Sequence, residues 1–220
     1  QLRFTVLRSL FDVCNPTVLI MKKPFSQACE NNQQPILNVI KRYMVKPGTT
    51  LEIGSGTGQH AVFMAGHLPH ILWQPTDVAP HLPGIETWRT DAALPNVLQP
   101  VELDINEPNT AFFLVPYLFS ANTLHIMAWH TVERLFQYIP HWLQPDGYAF
   151  FYGPFNYQGR FTSESNARFD QWLKSQAPHQ GIRDIEAITA LAESAGLTLI
   201  EDCEMPSNNR TLIWQRRSVK

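Results

Sequence analysis

Three glycines at alternate positions follow an acid in Leu51-Glu52-Ile53-Gly54-Ser55-Gly56-Thr57-Gly58-Gln59-His60. Gly54, Gly56 and Gly58 lack Cβ atoms, so the backbone can turn sharply there and let a ligand touch it. Free N–H groups at the start of a following helix then favour a carboxylate or phosphate. The dinucleotide fingerprint needs a further glycine three places after its second one, and position 59 is Gln. Glu52 ahead of the turn would repel a pyrophosphate. It suits a cofactor that carries an amino group and a positive sulfur, as S-adenosylmethionine does. Asp77 follows about 20 residues later, where such folds place a ribose-binding acid. Asp104 closes a third apolar stretch and is placed to accept a hydrogen bond from an adenine amino group.

These residues need strands to hold them. Thr50–Ile53, Ile71–Asp77, Val101–Asp104, Tyr117–Asn122 and Tyr148–Tyr152 read as strands, with Pro75 pointing to an edge or an irregular strand end. Helices are expected over Pro35–Tyr43, from Gln59 to a stop at Gly66, and over Leu82–Ala92, Thr131–Ile139, Ser165–Ala177 and Asp184–Ala195, the last with Asp184 as N-cap. A turn is expected over Gln144–Gly147, and a final antiparallel pair over Leu197–Cys203 and Thr211–Gln215. Alternating strands and helices predict a mostly parallel sheet covered on both faces. No repeat or linker divides the chain, so residues 24–220 read as a single domain.

Composition narrows the function. The 220 residues carry 17 Lys and Arg against 19 Asp and Glu, a net charge of -2 that lacks the basic footprint of a nucleic-acid binder. At 44% hydrophobic and 16% charged residues the chain is a folded globular protein. Cys14, Cys29 and Cys203 are too dispersed for a disulfide framework or a zinc ribbon, and the eight histidines include no H-E-x-x-H pair. His60, His67 and His70 read as structural, and no metal is expected. The apolar run Ala111–Ala121 is too short to span a membrane and is broken by Pro116. Arg3, Arg8 and Asp12 spoil a secretory signal, while Met21-Lys22-Lys23 looks like a cytosolic start; residues 1–23 are set apart as an N-terminal extension. A reducing, cytosolic location follows.

The turn and further segments resemble a known family. They include Phe25-Ser26-Gln27-Ala28-Cys29-Glu30-Asn31-Asn32, Asn122-Thr123-Leu124-His125-Ile126-Met127-Ala128-Trp129, Tyr152-Gly153-Pro154-Phe155, Gly181-Ile182-Arg183-Asp184 and Met205-Pro206-Ser207-Asn208-Asn209. The chain resembles the class I S-adenosylmethionine-dependent methyltransferases and, within them, the methyltransferase-like protein 26 family, also called domain of unknown function 938. The resemblance implies a Rossmann-like α/β fold with a seven-stranded, mostly parallel sheet whose last strand is antiparallel. It implies that Glu52, Gly54, Ser55, Gly56, Thr57 and Gly58 hold the methionine part of the cofactor, with Asp77 at the ribose and Asp104 at the adenine. The nucleic-acid amino-methylating motif, Asn or Asp-Pro-Pro-aromatic, is replaced here by Asn122-Thr123-Leu124-His125.

Several residues keep two readings. His125, just past the fourth strand, is a general base or substrate ligand, or a histidine bonded to a backbone carbonyl. Asn122 bonds the cofactor or orients its loop. Trp129 and Tyr152 wall the substrate pocket or belong to the core. Arg183 grips an anionic substrate or pairs with Asp184 or Glu186. Glu30, Asn31 and Asn32 lie ahead of the first helix as a lid. The expected function is methyl transfer to a small molecule or peptide side chain. Two rivals stand beside it: a catalytically silent cofactor-binding module and an NAD-dependent oxidoreductase, the latter disfavoured by Gln59 and Glu52.

Overall fold

Ser26 sets where the fold begins. In the computed structural model, which describes residues 23–107 and 114–218, its hydroxyl accepts a hydrogen bond from Cys29 N and caps α1 (Gln27–Ile40). The helix therefore starts eight residues before the expected Pro35, and Asn31 and Asn32 lie on it rather than ahead of it. Pro35 has no N–H for the Asn31 carbonyl. Gln59 offsets that loss: its side chain accepts from Ser26 N at 2.5 Å and donates to Ser26 O at 3.3 Å, pinning the helix start. The segment before Met21, Cys14 within it and the opening of the Ala111–Ala121 run lie outside the described residues.

The remaining elements are β1 (Gly48–Ile53), α2 (Gln59–His67), β2 (Ile71–Asp77), α3 (Leu82–Ala92), β3 (Val101–Glu102), β4 (Val115–Ala121), α4 (Trp129–Trp142), β5 (Leu143–Gly153), β6 (Phe155–Asn156), α5 (Glu164–Gln176), β7 (Arg183–Asp184), α6 (Ile185–Ser194), β8 (Leu197–Met205) and β9 (Asn209–Arg216). Seven strands form one sheet in the order β3-β2-β1-β4-β5-β9-β8. The pairs among β1 to β5 are parallel, and β9 runs antiparallel to both β5 and β8. β6 and β7 make a separate two-stranded parallel pair. This is the expected Rossmann-like three-layer arrangement.

Local chemistry explains the departures. Gly66 lies inside α2, which ends one residue later than expected. Pro75 sits inside the sheet opposite Glu52, not at an edge. Its missing N–H falls where the neighbouring strand is interrupted, between the Trp73–Val97 bridge and the Thr76–Val101 pair. Gln74 Nε2 fills that gap by donating to Gln99 O at 2.8 Å. The Gln144–Gly147 turn is a bulge within β5, with Asp146 at φ +62° and the register against β4 slipping across it. Asp184 stands at the N-cap of α6, yet its side chain makes no cap bond and its buried Oδ1 has no partner.

Two apolar layers hold the sheet. One joins α1 and α2 to the sheet through Ile36, Ile40, Met64, Trp73, Phe119 and Phe150; the other joins α4 and α6 through Val132, Phe136, Ile188, Phe151 and Trp214. In α4, Val132, Leu135, Phe136 and Ile139 recur at helical spacing and are all buried. Among the described residues no helix is long and apolar enough to cross a membrane.

Candidate functional site

The carboxyl ends of β1 and β2 bring Glu52 and Asp77 to the glycine turn, and the segment after β3 carries Asp104. Glu52 is 1% exposed, and its Oε2 accepts from Ser55 Oγ and Trp73 Nε1, each at 2.9 Å. Burial pushes its carboxyl up to about 7; the two donors oppose that shift and the nearby Asp77 charge adds to it. Asp77 Oδ2 accepts from Gly56 N at 2.7 Å, while Oδ1 accepts from Val78 N and meets His81 Nδ1, both at 2.8 Å. A carboxylate offers about four acceptor positions, so the three contacts leave capacity for a ligand hydroxyl. Asp104 stands two residues beyond β3 rather than at its end, because β3 stops at Glu102. Its Oδ1 accepts from Asn106 N at 2.8 Å, and Asn106 is anchored to α4 by Thr131 Oγ1 at 3.0 Å and Arg134 Nη1 at 2.8 Å.

The turn itself is a cradle. A Cβ added to Gly56, at φ +58°, would meet nothing within 4 Å, so the backbone presents an open face beside Asp77. A Cβ on Gly54 would come within 2.8 Å of Thr123, which puts the turn against the loop after β4. Ser55 Oγ also accepts from Thr76 N at 3.1 Å, and Thr57 Oγ1 donates to Gln59 Oε1 at 3.0 Å. Gly58 caps α2 in the left-handed region at φ +88°. A bare backbone face beside a buried carboxyl and the Asp77 side chain fits a ligand bearing an amine, a sulfonium and a ribose, whereas a pyrophosphate would be set against acids.

Next to this cleft a cavity of about 340 Å³ opens at the ends of β4 and β5, bounded by α1, α5 and the segment before β9. Asn31, Asn32, Asn122, Asn166 and Asn209 line it with Tyr152 and Phe169. Among the described residues, no charged side chain does. Asn32 Oδ1 meets His60 Nε2 at 2.6 Å, and the Tyr152 phenol lies beside the Asn32 amide. Asn122, at φ +57°, donates its backbone N–H to Tyr152 O at 2.8 Å and so ties the two strand ends together.

The sequence profile of the family described as "Protein of unknown function (DUF938)" matches residues 23–216. The chain belongs to that family. Among solved structures, the DUF938 chain is similar to an O-methyltransferase family protein from Burkholderia thailandensis, with a TM-score of 0.77 and 16% identity over 88% of this chain and 58% of that one. A putative O-methyltransferase from Nostoc punctiforme gives 0.74 and 17% over 86% and 56%. Human N-acetylserotonin methyltransferase in complex with SAM gives 0.70 and 15% over 87% and 53%. The chain thus spans a little over half the length of these structures, and at such identities the likeness is one of fold.

Three expected site residues are held differently in the DUF938 chain. His125 is 5% exposed and is not a lining residue of the cavity; its ring packs edge-on against Phe169 at 5.5 Å and lies beside Gly153. Burial, then the Arg183 charge, holds it down to about 4, so it is neutral. The Arg183 guanidinium donates to the carbonyls of Leu124 at 3.1 Å, His179 at 3.0 Å and Met127, so it pins a loop and pairs with neither Asp184 nor Glu186. Trp129 opens α4, packs against the apolar layer there and lies 5.9 Å from that guanidinium, away from the cavity lining. Sequence reasoning treated His60 as inert and Gln59 only as a missing glycine. A polar ring on the inner face of an apolar helix requires a buried partner, and that was the available signal for His60.

Proposed function

We propose that this DUF938 chain is an S-adenosylmethionine-dependent methyltransferase of the methyltransferase-like protein 26 type, acting in the cytosol on a small molecule or a peptide side chain. The observation that carries the reading is the open backbone face at Gly56, held by Asp77, with the buried Glu52 bonded to the neighbouring Ser55. When bound, S-adenosylmethionine supplies an electrophilic methyl group on a sulfonium. Glu52, once ionised, attracts the cationic methionine end, Asp77 accepts from the ribose and Asp104 from the adenine amino group. Ser55, Thr57 and Asn122 fix the loops around it, and Gly54 and Gly58 let those loops close up. Orienting two reactants in this way is worth about 7–11 kcal/mol at best, so alignment can supply much of the rate.

A neutral His125 is able to take a proton, but it stands behind Phe169. We therefore assign it to positioning the wall, and assign the acceptor site to Asn31, Asn32 and Tyr152, with Trp129 and Arg183 behind it. That placement of the histidine also favours the second reading, a silent cofactor-binding module, because no basic side chain among the described residues lines the cavity. Calorimetry with S-adenosylmethionine, S-adenosylhomocysteine and NAD tests the cofactor claim. Heat from the first two and none from NAD is the expected result; no heat from either nucleoside sinks the reading. Methyl release to an extract fraction then separates the enzyme from the silent module.

A further inference from the structure

We propose that the cavity beside the glycine turn takes an uncharged, planar acceptor, and that Tyr152 donates a hydrogen bond to an oxygen of that acceptor. The word acceptor rests on the methyl-transfer reading above; the charge class and the Tyr152 contact do not.

A charged ligand entering this cavity would lose water and meet no side chain of opposite sign on its lining, which is costly. The charges that α5 carries are matched on the helix itself, Asp170 to Lys174 at 2.6 Å and Arg168 to Glu164 at 3.6 Å.

The contact between His60 Nε2 and Asn32 Oδ1 needs a proton on the histidine, because an amide oxygen only accepts. The nitrogen end of Asn32 is then left to donate to the Tyr152 oxygen, so the phenol proton remains to be given away. Burial holds that phenol protonated, pushed up to about 12, and holds His60 neutral at about 4. A one-way relay from His60 through Asn32 thus ends in a donor at the cavity. The other amides are partly engaged: Asn166 Nδ2 donates to Thr162 Oγ1 at 2.9 Å and to Asn208 O at 3.1 Å. Asn209 Nδ2 donates to Pro206 O at 3.2 Å.

Phe169 forms one wall and stacks on Trp172 with centroids 5.8 Å apart and planes 15° apart, while His125 braces its edge. A flat, fixed ring of this kind favours another flat ring.

The test uses phenyl, naphthyl and indole fragments, each carrying a carboxamide, a carboxylate or an aminomethyl group. Affinities are read by ligand-detected NMR on the full chain, with and without S-adenosylhomocysteine. The carboxamides should bind at least about tenfold tighter than their charged partners, and Y152F should cost them up to about tenfold, the range of one hydrogen bond. The matching methyl-substituted rings, which have no oxygen, should bind Y152F and the parent equally. N32A should weaken carboxamides as Y152F does and add nothing to it in the double variant, a pattern that general loosening would not give. Equal or tighter binding of a charged series, no carboxamide binding at all, or unchanged carboxamide affinity in a folded Y152F protein each overturns the proposal. S-adenosylhomocysteine heat reports separately on the methyl-transfer reading, which can fail while the cavity result stands.

Discussion

The glycine-turn cleft and the asparagine cavity meet along Asn122–Thr123, yet they are built from opposite chemistry. The cleft gathers carboxylates on the ends of three neighbouring strands and orders them with backbone N–H groups and the Trp73 indole. The cavity has no charged side chain among the described residues of its lining and orders its amides with a threonine hydroxyl, a backbone carbonyl and a buried histidine. Such a contrast fits a two-ligand site in which one partner is cationic and the other is neutral. It also keeps the two ligands from exchanging places, since each would be poorly solvated in the other's position.

Substitutions that touch one region only should break this contrast cleanly. The largest effect is expected from Gly56→Val. Its side chain would fill the open face over the turn, and its left-handed backbone adds roughly 1–2 kcal/mol of strain. Calorimetry should show S-adenosylhomocysteine binding lost altogether, with carboxamide fragments still bound by NMR. Nucleoside affinity that survives intact would remove the turn from the cofactor site.

Arg183→Met should follow in size, costing about 2–4 kcal/mol of stability in urea unfolding, because three loop carbonyls lose a charged donor. Below the unfolding transition it should weaken cavity fragments and spare the nucleoside; the reverse order would mean that Arg183 serves the cleft.

Glu52 gives a pH signature. Its carboxyl titrates near 7 in the free protein, and a cationic ligand favours the ionised form. S-adenosylmethionine affinity should therefore rise from pH 6 to pH 8 and level off above. Glu52→Gln should flatten that slope and lower affinity at pH 8 by about tenfold, the scale of one charged contact. Stability runs the other way. The folded value lies above the unfolded value of 4.5, so the folded state holds the proton longer and stability falls as pH rises from 4.5 to 7. That loss, on the order of 3 kcal/mol, should be absent in Glu52→Gln. The smallest effect is expected at Asp104→Asn, a few-fold loss of nucleoside affinity, because that residue is half-buried and an amide oxygen can still accept. A loss larger than that of Glu52→Gln would reverse the ranking of the two acids.

Much of the cleft was legible in the residues themselves. Gly54, Gly56 and Gly58 with Glu52, and Asp77 ending a recognisable strand, are local signals, since a turn, a cap and a strand end each depend on a few neighbours in the chain. The mostly parallel sheet and the antiparallel final pair also followed from the alternation of elements, whereas the strand order, with β9 inserted between β5 and β8, did not. Less local features escaped. The start of α1 depends on Gln59 reaching back 33 positions to Ser26, so the expected lid of Asn31 and Asn32 became one wall of a cavity. His60 reads as an apolar-face histidine until Asn32 is seen 28 positions away.

Short windows of residues were enough for the sheet, the glycine turn and the acids beside it, because periodicity, turn chemistry and bare Cα positions depend on near neighbours in the chain. Packing across the whole fold was needed to tie Arg183 to three carbonyls, to set His125 behind Phe169, and to close one uncharged cavity with asparagines from four separate segments. Those are meetings of side chains distant in the chain, and a hydrogen bond's partner is fixed by where packing places it rather than by its neighbours in sequence.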